Sequence, residues 1–110
     1  MEDMKVCVPI TSDGTVDPRW GRAERVAVAK VESGTVSDWT EFDVGWGALH
    51  DNGPEGAHHA RIARFLRDQQ VDTVAVDHVG VGLQRMLTTM GVRIDTDHSG
   101  DARAAVTGLA

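Results

Sequence analysis

The sequence predicts an α/β domain in which a mixed five-stranded sheet carries helices packed on it, with elements in the order βββαβαβα. Three observations predict this class. Val and Ile together number 18 against 5 Leu in 110 residues, a core composition suited to a sheet. Residues 4–44 contain segments whose apolar positions recur every second residue. Beyond about Gly56 the period lengthens to that of a helix, and short apolar runs then alternate with helical stretches. The length suits one domain over residues 1–110 and no internal repeat or linker divides it.

The elements follow in order. Met4 to Ile10 puts Val6, Val8 and Ile10 on one face and Cys7 on the other, so the strand is expected to be buried on both sides. Pro9 cannot donate to a ladder and belongs near that strand's end. A polar loop with Gly and Pro runs from Thr11 to Ala23. Arg25 to Glu32 and Thr35 to Val44 form the next two strands, joined by a Ser33-Gly34 hairpin turn. From about Gly56 to Gln69, Ile62, Phe65 and Leu66 lie on one side of a helix and Arg61, Arg64 and Arg67 on the other. Thr73 to Asp77 is a short strand. Leu83, Met86, Leu87 and Met90 repeat at helical spacing, and Gly91 stands where a helix ends. Val92 to Asp95 closes the sheet, and Ser99-Gly100-Asp101 opens a final helix reaching about Leu109.

Composition narrows the function. Lys and Arg number 11 against 17 Asp and Glu, a net charge of −6 that disfavours phosphate backbones, so no nucleic-acid partner is expected. The longest apolar run is the four residues Val26 to Ala29, too short for a membrane span or a leader's apolar region. A single cysteine fits a reducing, cytoplasmic location. No nucleophile elbow or P-loop occurs, so a binding domain is favoured over an enzyme. Asp13, Asp17, Asp77, Asp97 and Asp101 allow a weaker reading as a metal-dependent nuclease, although no spacing fixes a carboxylate pair.

The five histidines are the informative residues. Followed through this topology, His50, His58, His59, His78 and His98 all fall on the sheet edge where the first strand ends, the edge at which open α/β sheets bind ligands. His58 and His59 open a helix, a position that favours the neutral imidazole and hence metal ligation. His78 and His59 are the first-choice metal ligands, with His58 and His98 next. Asp77 or Asp97 would orient a ring. His50 is the weakest candidate and reads more readily as a solvated loop residue. Gly80 and Gly82 follow the strand ending at Asp77 and suit an anion-binding turn, but equally a tight turn with close helix packing. Met86 and Met90 read as core, the Arg61–Arg64–Arg67 stripe as a solvated face, and Cys7 as a buried residue rather than a ligand.

Several stretches carry a family resemblance. Met4-Lys5-Val6-Cys7-Val8-Pro9-Ile10-Thr11 and Val16-Asp17-Pro18-Arg19-Trp20-Gly21-Arg22-Ala23 resemble the opening of the dinitrogenase iron-molybdenum cofactor biosynthesis family. His59 to Leu66, Val71 to Val76, Gly80 with Met90-Gly91-Val92, and Ser99-Gly100-Asp101 are similar to its later segments. The chain departs from the family's Gly-Gly-Met-Gly-like turn, having Asp77-His78-Val79-Gly80 instead. The resemblance implies an RNase-H-like fold and binding or carriage of an iron-sulfur-type cluster, such as iron-molybdenum cofactor, in metallocofactor assembly for nitrogen fixation, with a cofactor-assembly protein as partner. The combined expectation is a domain that holds a divalent transition metal or an anionic metal-sulfur cluster. Arg19, Arg22, Gly80 and Gly82 would supply positive potential to the anion. The alternative is a metal-free protein-interaction or small-anion sensor domain.

Overall fold

The structure, a computed structural model, describes residues 3–50 and 55–109. Nine elements are present among them. β1 is Met4–Ile10, β2 Arg25–Glu32 and β3 Thr35–Asp43; then follow α1 Trp46–His50, α2 Glu55–Asp68, β4 Thr73–Ala75, α3 Val81–Thr89, β5 Arg93–Asp95 and α4 Ala102–Thr107. A 3-10 turn, Trp20–Arg22, lies in the loop after β1. The sheet order is β3-β2-β1-β4-β5, with β1/β2 and β2/β3 antiparallel and β1/β4 and β4/β5 parallel. It is the mixed five-stranded sheet that the patterns predict.

Local chemistry explains most boundaries. Ser33 and Gly34 both have positive φ, 52° and 79°, so the hairpin closes with the turn whose twist matches the strands. β1 pairs with β4 only through Val6 and Cys7, so the N–H that Pro9 lacks falls beyond that ladder. The Pro9 carbonyl instead accepts the Asp17 N–H at 2.9 Å. Gly91 takes φ 76° after α3, and the Val92 N–H bonds the Leu87 carbonyl, a left-handed cap that only glycine adopts without strain. Asp101 caps α4, its Oδ2 accepting the Ala104 N–H at 2.9 Å.

The alternation read in β1 sorts the core into two layers. Cys7, Val26, Val28, Val74 and Val76 face α2 and α3, where they meet Ile62, Leu66, Leu83 and Leu87. Val6, Val8, Ile10, Ala27, Ala29 and Ala75 face α4 and pack on Ala102, Ala105 and Val106. No helix among the described residues is long and apolar enough to cross a membrane.

One element departs from the expected order. Residues 46–50, read as loop, form α1, so the chain runs βββααβαβα. Trp46 is buried and meets Trp20 and Phe65 edge-on at 5.2 and 5.7 Å. Its N–H bonds the Ala23 carbonyl, and the N–H groups of Val44 and Gly45 bond that of Glu24. This helix is fastened by tertiary contacts, which a five-residue segment needs because it cannot sustain itself.

Candidate functional site

The strand order sets the place of the site. The chain leaves β1 toward β2 on one side, and leaves β4 toward β5 on the other. Such a reversal opens a crevice beyond the carboxyl ends of the two central strands. There lies a cleft of about 370 Å³, walled by the Trp20–Arg22 turn after β1, by the first turns of α2, and by the segment from His78 to Leu83 after β4. Arg19, Arg22, His58, His59, His78, Gly80 and Gly82, scattered over more than sixty residues of sequence, all line it.

The three histidines do different things. His58 is 1% exposed. Its Nε2 lies 2.7 Å from the Gly21 carbonyl and its Nδ1 2.9 Å from Nη1 of Arg61. A carbonyl can only accept and a guanidinium can only donate, so Nε2 carries the proton and donates to Gly21 while Nδ1 accepts from Arg61. Both ring nitrogens are therefore spent, which removes His58 from the ligand set expected for it. His59 is half-buried and its ring stands over Gly82, where an added Cβ would lie 2.9 Å from Cε1. Gly82 thus lets the imidazole rest on the first turn of α3. His78 is exposed at the cleft's edge.

The other predicted residues divide as clearly. His98 does not line the cleft: its Nε2 pairs with Oδ1 of Asp95 at 2.7 Å, beyond β5. The loop after β5 keeps it there, since the His98 N–H bonds the Val76 carbonyl. His50 ends α1, and its side chain lies outside the described residues. Among the described residues, no three His, Cys, Asp or Glu side chains gather in a way that could hold a metal ion. The set His78, His59, His58 and His98 is therefore not assembled as one cage. Of the carboxylates in the nuclease reading, Asp17 is buried against Arg19 and Asp101 caps α4, while Asp77 and Asp97 meet at a separate surface hollow after β4 and β5. Cys7 is fully buried in β1, and burial pushes its thiol far up from the ordinary range, away from the thiolate that metals need.

The electrostatics point to an anion. Among the described residues, Arg19 and Arg22 line the cleft and no Asp or Glu does, on a chain whose net charge is −6. Gly80 precedes α3 without any side-chain cap, so the first N–H groups of that helix face the cleft region with no side-chain acceptor. Trp20, only 2% exposed, also lines the cleft, and its indole Nε1 is buried with no hydrogen-bond partner among the described residues. A buried donor left unpaired costs about 1–3 kcal/mol, so the indole is a strained point behind the cleft wall.

Sequence reasoning missed three contributors. Trp20 entered only as part of the stretch Val16 to Ala23 that carries the resemblance. Arg61 read as part of a solvated stripe, yet it holds the His58 ring. Gly21 acts through its carbonyl, which no residue type advertises.

Comparison with known proteins bears on the family and the fold. The family model described as dinitrogenase iron-molybdenum cofactor matches residues 4–110. No curated protein matches the chain. Among solved structures, PH0822 superposes with a TM-score of 0.78 at 16% identity, covering 96% of this chain and 89% of that one. The apo form of the orange protein from Desulfovibrio gigas gives 0.75 at 24% identity, with 96% and 86% covered. A candidate NifB protein from Thermotoga (TM1290), of the DUF35 family, gives 0.72 at 20% identity, again with 96% and 86% covered. At these identities the three structures speak for the fold.

Proposed function

The chain belongs to the dinitrogenase iron-molybdenum cofactor family, and from that premise we propose that it is a binding and carrier domain for an anionic metal-sulfur cluster, without enzymatic activity of its own. The observation that carries the reading is the cleft at the β1/β4 switch point, where Arg19, Arg22, the uncapped start of α3, His59 and His78 converge with no Asp or Glu among the described lining residues. The cluster is the cargo. Arg19 and Arg22 would meet its negative charge, while His59 and His78 offer imidazole nitrogens that can bond its sulfurs or ligate a metal edge. The sheet order β3-β2-β1-β4-β5 supports the RNase-H-like assignment that the resemblance implies.

The same lining weighs against a bare divalent cation, the other expectation from the histidines. Two guanidiniums and a helix N-terminus repel a cation that two imidazoles would have to hold. A preformed anionic cluster brings its own sulfide ligands and turns those positive groups into attractions. A cofactor-assembly protein, as donor or acceptor of the cluster, follows as the partner class.

Anaerobic titration separates the readings. A synthetic, thiolate-ligated iron-sulfur cluster dianion is added to wild type, Arg19→Ala and Arg22→Ala, with zinc chloride in a parallel series. Each arginine variant is expected to bind the cluster about tenfold more weakly. Binding should also weaken as salt rises. Tight zinc binding with no cluster binding would favour the divalent-metal reading. Binding of neither would leave the metal-free interaction domain.

A further inference from the structure

Few polar side chains are buried among the described residues, and two of them serve the same turn. Asp17 (4% exposed) and His58 (1% exposed) stand with Thr73 as the buried polar residues among those described. Oδ1 of Asp17 accepts the backbone N–H of Arg19 at 2.9 Å and its Nε–H at 3.4 Å. From the other side of the same turn, His58 donates to the carbonyl of Gly21. The Trp20–Arg22 turn is thus fastened at its entry by a carboxylate and at its middle by an imidazole.

We propose that Asp17 is a positioning residue for Arg19, aiming its guanidinium at the cleft ligand, and that His58 braces the middle of that turn. The proposal deepens the anion-binding reading of the cleft and rests on it for the ligand.

Three observations carry it. Burying a carboxylate is costly unless its partners compensate, and here its ionic partner is an arginine whose side chain is 66% exposed. An exposed partner returns little stability, so fold stability alone is a poor reason for this pair. Second, the contact engages Nε and the backbone N–H, which leaves both terminal Nη groups to reach a ligand. Third, Arg19 lines the cleft and Asp17 does not. The carboxylate therefore sits behind the cation, fixing its direction without placing negative charge on the cleft wall. An arginine held in this way loses less side-chain freedom on binding an anion than a free one.

Two measurements test the proposal. The first needs no ligand: the Arg19 Nε–H resonance in a nitrogen-15 correlation spectrum. Slow hydrogen exchange of that resonance in wild type, kept in Asp17→Asn and lost in Asp17→Ala, is the expected result. Asparagine retains the acceptor oxygen, so its rescue shows that the hydrogen bond, not mere folding, is responsible. Equal exchange in wild type and Asp17→Ala overturns the proposal.

The second is a double-mutant cycle with the synthetic iron-sulfur dianion as probe. Asp17→Ala should weaken binding about tenfold in the wild-type background and by less than about twofold when Arg19 is already alanine. Equal losses in both backgrounds overturn the aiming role. His58→Gln keeps a donor for the Gly21 carbonyl and should bind within about threefold of wild type, whereas His58→Ala should not. Equal losses in these two overturn the brace. If wild type binds no probe, the anion reading of the cleft falls, and the exchange measurement alone decides whether Asp17 holds Arg19.

Discussion

The two faces of the sheet are covered by different means. On one, α2 and α3 lay large side chains, among them Ile62, Leu66 and Leu87, over Val26, Val28, Val74 and Val76. Four aromatic rings, Trp20, Trp46, Phe42 and Phe65, pack edge-to-face at 5.2–5.7 Å along the same side. On the other face, the six-residue α4 brings Ala102, Ala105 and Val106 onto alanines and valines, and Arg103 stacks 4.5 Å over the Trp39 ring. The buried imidazole of His58 and the uncapped start of α3 belong to the first face. The difference teaches where this protein can hold polar groups out of water. A deep aromatic and aliphatic layer can carry a buried histidine and an open cleft at its end, while a thin layer of small residues leaves no depth for one.

Replacing Leu87 by Ala should give the largest effect. Its side chain is fully buried between α3 and the sheet, so stability should fall by about 2–5 kcal/mol in urea unfolding. Val106→Ala, fully buried on the α4 face, removes two methyl groups and should cost about 1.5 kcal/mol. Equal losses would break the contrast between a thick and a thin layer. A change under about 0.5 kcal/mol for Leu87 would mean that the helix presents another face.

Gly47→Ala asks whether α1 is tied as closely to the cleft as the aromatic packing suggests. An added Cβ would lie 2.7 Å from the Arg22 carbonyl oxygen and 2.6 Å from Oε1 of Glu24. The Glu24 side chain can swing away, but the Arg22 carbonyl is backbone in the wall that carries the cleft's arginines. The substitution should destabilise by about 1–3 kcal/mol and also weaken anion binding. A loss of stability with binding intact would separate α1 from the site.

Much of this contrast was legible in the sequence. The two-residue alternation assigned Cys7 and the Val6–Val8–Ile10 set to opposite faces, and following the topology brought His58, His59 and His78 to one edge with Arg19 and Arg22. What was not legible depended on contacts distant along the chain. α1 is too short for a periodicity, and it is fixed by bonds to Ala23 and Glu24. That His58 turns inward was written in α2 itself, since it precedes Ile62 by four residues and Leu66 by eight on the face that is buried. That its partner there is the Gly21 carbonyl was not, because that contact lies 37 residues away. His98 shared the expected edge, yet the bond of its N–H to Val76 keeps it beside Asp95.

On the α4 face the polar device is a cap. Asp101→Ala removes the acceptor for the Ala104 N–H and should cost about 1 kcal/mol, roughly 4–8 °C in melting temperature for a domain near this size. Binding of the anionic probe should be untouched, because α4 lies across the sheet from the cleft. A parallel loss of binding would show that the two faces are coupled through the sheet.

His78→Ala should have the smallest effect on stability and a clear one on binding. The residue is exposed at the cleft's edge, and its removal leaves no buried group unpaired, so the change in unfolding free energy should stay within about 0.5 kcal/mol. Affinity for the iron-sulfur dianion should nevertheless fall, because the exposed imidazole at the cleft's edge is gone. His58 and His78 line the same cleft and are the same residue type, yet burial assigns them opposite roles. One holds the wall, and the other is expected to meet what enters. Unfolding curves that overlay wild type, together with a weakened titration, would establish that division. A destabilised His78→Ala with unchanged binding would reverse it, and the functional histidine would then have to be sought in His59 alone.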